Sequence, residues 1–87
     1  MAKKAAHAEI TVNFHLEAEV PGEAEGTVLE ALHRQGAILL AQGDRRAVAR
    51  MDGQRLPALR ADLDKAGRIS GSLPADLPSE VVVTISW

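Results

Sequence analysis

Eighty-seven residues with a net charge of −2 make one small domain, 1–87. It is too short for a multi-domain mechanism and able to bury only roughly 60% of its unfolded surface. The absence of cysteine excludes disulfides, thiolate nucleophiles and cysteine metal sites, and a cytoplasmic location is the expectation. "AILLA" is too short to span a bilayer and "MAKKAAHAEI" contains no apolar stretch of signal-peptide length, so no membrane association is expected.

Residues 1–8 read as a flexible N-terminus. From Glu9 to Val20, the residues Ile10, Val12, Phe14, Leu16, Ala18 and Val20 alternate with Glu9, Thr11, Asn13, His15, Glu17 and Glu19, the period of a half-buried strand. After "PGEAEG", Thr27 and Glu30 have the spacing of a capping box. Val28, Leu29, Leu32, Gly36, Leu39 and Leu40 then fall on one helical stripe that ends before Gly43, which predicts a helix of about four turns. Gly36, on that stripe, is expected to let the helix approach a sheet closely, at about 1 kcal/mol of helix propensity.

Asp52 and Gly53 lie between two short alternating runs, the signature of a two-residue hairpin turn. Such a turn sets Met51 opposite Gln54, Arg50 opposite Arg55 and Ala49 opposite Leu56. Ala47, Ala49, Met51 and Leu56 then share one face, and Arg46, Arg50 and Arg55 the other. Like charges directly opposite each other cost up to about 1 kcal/mol unless an anion lies nearby.

Pro57 fits the first turn of a second helix, with Leu56, Leu59, Leu63 and Ala66 at helical spacing and Gly67 as its stop. Residues 68–79, rich in Gly, Pro and Ser, read as a loop. Val81, Val83, Ile85 and Trp87 then alternate with Val82, Thr84 and Ser86, a closing strand whose parity turns the Trp87 indole towards the helices.

The order strand, helix, strand, strand, helix, strand (βαββαβ) predicts an α+β fold. It is that of a ferredoxin-like split βαβ sandwich, an antiparallel sheet with two helices on one face. The alternative is a β-grasp-like arrangement, because the third strand has only Gln54 to Leu56 before Pro57. In the ferredoxin-like order the first strand lies beside the third, so Glu17 or Glu19 is expected near Arg55, and Arg46 and Arg50 on an edge strand, where charge discourages aggregation.

Charge is segregated along the chain. Residues 33–70 carry eight basic against four acidic side chains, while 1–32 carry two lysines against six glutamates. The candidate contact site is therefore a cationic patch of Arg46, Arg50, Arg55 and Arg34, suited to a protein partner with an acidic surface. Catalytic readings find no support: "RISGS" lacks the nucleophile-elbow order, and no histidine has a serine near it in sequence. Glu30 and His33 have Glu-x-x-His spacing once, where carboxylate-bridged metal sites need it twice, and His7 and His15 are roughly 26 Å apart at strand rise. No metal site and no cofactor are expected.

The only aromatics, Phe14 and Trp87, fall on the buried side of the pattern, so base stacking on the sheet is unsupported. The leading expectation is a small non-enzymatic protein-binding module, an adaptor, inhibitor or oligomer subunit, with a homodimer through an edge strand or the open sheet face. Nucleic-acid backbone binding through the arginines is the second reading, opposed by the acidic balance of the chain. The alanine-rich composition, with arginine favoured over lysine, points to a GC-rich bacterial or phage source. An inhibitor of a larger host complex is a third reading.

Overall fold

The computed structural model describes residues 10–87; residues 1–9, which include His7 and the N-terminal segment expected to be flexible, lie outside the described residues. The chain forms β1 (Ile10–Ala18), one turn of 3-10 helix (Pro21–Glu23), α1 (Ala24–Arg34), β2 (Ile38–Gln42) and β3 (Arg46–Met51). A second 3-10 turn (Gly53–Arg55) leads into α2 (Leu56–Asp64), followed by β4 (Gly67–Ser70) and β5 (Val81–Ser86).

These strands make one five-stranded mixed sheet in the order β2-β3-β5-β1-β4. β5 runs parallel to β1 and antiparallel to β3, and the two outer pairs, β2–β3 and β1–β4, are antiparallel. The fold is α+β, but the four-stranded antiparallel order of the ferredoxin-like arrangement is not what the chain adopts. β1 does not lie beside the segment that follows β3, because β5 occupies the centre. The composition of β5 explains this placement. "VVVTIS" is apolar nearly throughout, with Val81, Val83 and Ile85 fully buried and the alternate residues half-buried, as a strand flanked on both sides requires.

One sheet face is packed. Val12, Phe14 and Leu16 of β1, Ala47, Ala49 and Met51 of β3, and Val81, Val83 and Ile85 of β5 meet Val28, Ala31 and Leu32 of α1 and Leu56, Leu59 and Leu63 of α2. The alternation expected for β5 and the leucine spacing of α2 are thus realised, that of β1 holds from Val12 to Ala18 while Ile10 and Val20 at its two ends are exposed, and Trp87 packs half-buried against the same core.

α1 differs from its expectation at both ends. It begins at Ala24, upstream of the Thr27 and Glu30 pair, and its cap residue Glu23 makes no side-chain cap hydrogen bond. It stops at Arg34 because Gly36 has φ +73°. The Ala37 N–H donates to the Leu32 carbonyl and the Gly36 N–H to the His33 carbonyl, each at 3.0 Å. That is the paired pattern of a Schellman cap, which favours glycine at the left-handed position. Gly36 is therefore a helix stop, not a packing residue, and Leu39 and Leu40 pass into β2.

The hairpin turn also lies elsewhere than expected. It joins β2 to β3 at Asp44 and Arg45, with φ values of +53° and +59°, and the Gly43 N–H donates to the Arg46 carbonyl at 2.9 Å. Positive φ at both central residues is the requirement of a type I′ turn, whose twist matches that of a hairpin. The Asp52 carboxylate instead accepts from the Gln54 N–H at 2.9 Å and caps the second 3-10 turn. Gly53 packs so tightly that a Cβ there would collide with the Pro78 carbonyl oxygen. The segment 68–79, expected as a loop, begins as β4: Gly67 to Ser70 pair with Ala18 to His15 of β1.

Candidate functional site

The four arginines of the expected patch are divided between two regions. Arg50 and Arg55 do not face each other, since Arg55 ends the 3-10 turn before α2 while Arg50 lies on β3, in register with Ile38 on one side and Val82 on the other. β3 is an inner strand, so Arg46 and Arg50 are not at an edge. Both belong to the open sheet face, because Ala47, Ala49 and Met51 between and beyond them are buried under the helices.

Arg55 is satisfied internally, by a route different from the one expected. Its Nε donates to the Gln35 Oε1 at 3.2 Å, and the Gln35 Nε2 donates to the Asp62 Oδ2 at 3.1 Å. Arg34 reaches the same carboxylate at 3.1 Å and Glu30 at 3.3 Å. The chain Arg55–Gln35–Asp62–Arg34 fastens the end of α1 to α2. Asp62, whose side chain is only 15% exposed, is the group on which these bonds converge. Arg34 and Arg55 thus serve the contact between helices. Glu17 lies opposite Arg68 of β4 in the sheet register, so its cationic neighbour is Arg68 and not Arg55.

The rest of the patch lies on the β2–β3 hairpin: on its inner strand Arg46 is exposed and Arg50 half-buried, and the exposed Arg45 stands in its turn. Every residue of β2, the edge strand, is exposed, including Ile38 at 64%, Leu39 at 45% and Leu40 at 46%. The register shifts between Leu39 and Ala41, leaving Leu40 as the extra residue of a bulge. At the other edge, the four-residue β4 carries Arg68 and two serine or glycine termini, a short and charged strand of the kind that resists further pairing. β2 contains no charged residue and no proline, and the bulge is its one feature of the kind that opposes further pairing.

A second feature, unforeseen in the sequence, lies at the end of β1 and β5. A cleft of about 570 Å³ is lined by His15, Glu17, Pro21, Arg45 and Trp87 among others. Beside it the His15 Nδ1 and the Ser86 Oγ share a hydrogen bond of 2.9 Å. Those two residues are 71 positions apart and meet only because β1 and β5 are paired in parallel. The cleft offers an aromatic wall with a carboxylate, a guanidinium and an imidazole at its rim. Among the described residues, no group of three or more His, Cys, Asp or Glu side chains is placed to hold a metal ion. No described helix is long and apolar enough to cross a membrane.

Compared with known proteins, the chain matches no family model, no curated protein and no solved structure.

Proposed function

We propose that this protein is a small, non-enzymatic, cytoplasmic protein-binding module that uses the β2–β3 hairpin as its contact element. The observation that carries the reading is the state of β2: an edge strand whose five residues are all exposed, three of them large and apolar. Unpaired edge backbone joined to apolar side chains is the chemistry by which one strand adds to another sheet. Beside it on the open face, Arg46 and Arg50 supply positive charge to a partner with an acidic surface. Arg34 and Arg55 leave the proposed contact site, since they lie at the contact between α1 and α2 and not on the hairpin.

The test is capture of partners from the source cell by wild type, by Arg46→Glu with Arg50→Glu, and by Arg60→Glu on α2 as a control. Loss of a contact anchor should weaken retention by about 1–3 kcal/mol for the hairpin variant alone. Equal retention by all three proteins removes the arginines from the site. A partner that is nucleic acid would instead show itself by binding that falls steeply with salt.

A further inference from the structure

We propose that the occupant of the β2 edge is a second copy of this chain, paired antiparallel about a two-fold axis at Leu40, so that two five-stranded sheets become one of ten strands. The inference rests on the reading of β2 as a contact strand and names its partner.

Three features select a second copy over a foreign strand. β2 carries no charge, so laying it against itself opposes no like charges: Leu40 meets Leu40, Leu39 meets Ala41, and Ile38 meets Gln42. A two-fold interface requires such self-complementarity.

The flank of the strand is complementary as well. The Gln42 side chain donates to the Glu25 carboxylate, which places the first turn of α1 beside the end of β2. The Schellman turn at Gly36 reverses the chain between α1 and β2, so that the end of α1 leads directly into the start of β2. Glu25, Leu29 and His33 follow one another at four-residue spacing on α1, with Glu25 and His33 exposed and Leu29 half-buried against the core. Reversal by the two-fold axis sets the Glu25 carboxylate of each copy towards the His33 imidazole of the other. It also sets the positive end of each helix dipole against the negative end of its mate.

The third feature is charge. An acidic foreign strand at this edge would bring its carboxylates beside Glu25, whereas the open face with Arg46 and Arg50 would receive them well. The edge and the open face therefore suit different occupants. Pairing at the edge leaves the arginines of both copies on one continuous outer surface.

The experiment uses the full chain and the absence of native cysteine. Light scattering at high micromolar concentration should give twice the 9.3 kDa chain mass. Leu40→Lys, at an exposed position, should give the monomer mass with an unchanged circular dichroism spectrum. Under mild oxidation Leu40→Cys should cross-link to a dimer. Ile38→Cys and Gln42→Cys should each stay monomeric on a denaturing gel yet cross-link when mixed, as only the antiparallel register about Leu40 allows. A wild-type monomer overturns the proposal, and so does a dimer that Leu40→Lys leaves intact. If the wild type is monomeric but Leu40→Lys loses a captured partner, self-pairing fails and the contact-strand reading stands. If Leu40→Lys loses neither mass nor partner, both fail.

Discussion

Arg45 and Trp87 are joined by two hydrogen bonds running in opposite directions: the Trp87 N–H donates to the Arg45 carbonyl and the Arg45 Nε donates to the Trp87 carbonyl, each at 3.0 Å. The pair ties the hairpin turn to the chain beyond β5, and it does so with an arginine in the left-handed region, φ +59°. That conformation costs a residue with a side chain roughly 1–2 kcal/mol, so the bonds to Trp87 offset strain at the turn. Replacing Arg45 by alanine keeps the strain and removes the Nε bond, while glycine removes both. Glycine should therefore be the more stable of the two variants by about 1 kcal/mol, read from urea melts. Equal midpoints would show that the turn relaxes out of the left-handed region.

Two glycines should respond in opposite senses to the same substitution. Gly53→Ala drives a methyl group into the Pro78 carbonyl, which is backbone and cannot swing aside, and should cost about 1–3 kcal/mol. Gly26 lies within α1 with open space where its Cβ would be, so Gly26→Ala should stabilise by roughly 0.5–1 kcal/mol. Thermal melts of the two variants beside wild type check both signs.

Asp62 should matter more than any of the arginines that contact it. Asp62→Ala leaves the Gln35 Nε2 without its acceptor and Arg34 with only the exposed Glu30, and a loss of about 1–3 kcal/mol is expected. Arg34→Ala removes one half-exposed partner of a carboxylate that keeps others, for about 1 kcal/mol or less. Chemical denaturation of the two variants gives the order; a larger loss for Arg34→Ala would place the weight of the network elsewhere.

Leu59, fully buried between α2 and the sheet, should lose about 2–5 kcal/mol on truncation to alanine. Ile38→Ala at the exposed edge should change monomer stability by no more than about 0.5 kcal/mol. A comparable loss at both positions, measured at low protein concentration, would mean that β2 is covered.

The parts of the fold that could be read from the chain are those whose burial has a single period. β1, α2 and β5 each carry an unbroken apolar stripe, and their buried residues are those the period selects. The errors lie where one residue type serves two purposes. Leu39 and Leu40 continue the helical spacing of Leu32, and only the left-handed conformation of Gly36 ends α1 before them. A glycine soon after His33 and Arg34 is itself a stop signal, but it competes in the sequence with the helical spacing of the leucines. Asp52-Gly53 is the better local hairpin signal, yet the chain turns at Asp44-Arg45, because Asp52 is used as a cap and Gly53 for close approach to Pro78. Of the candidate site, the placement of Arg46 and Arg50 on the face of β3 away from the helices is legible by parity alone. The engagement of Arg34 and Arg55 depends on α1 meeting α2 through Gln35 and Asp62, and the His15–Ser86 pair on β5 entering beside β1. Neither is encoded in local spacing.

The central position of β5 also orders events in time. Val81–Ser86 follows every other strand in the chain, yet it supplies the neighbour of both β1 and β3. Without it the remaining strands can make no more than two separate pairs, β1 with β4 and β2 with β3, each with an unpaired inner edge. Closure then requires contacts between residues some 71 positions apart, a non-local step of the kind that slows folding. The inner edges of β1 and β3 are thus covered only by the strand that pairs over the longest sequence separation, so the order of the sheet and the order of the chain run against each other.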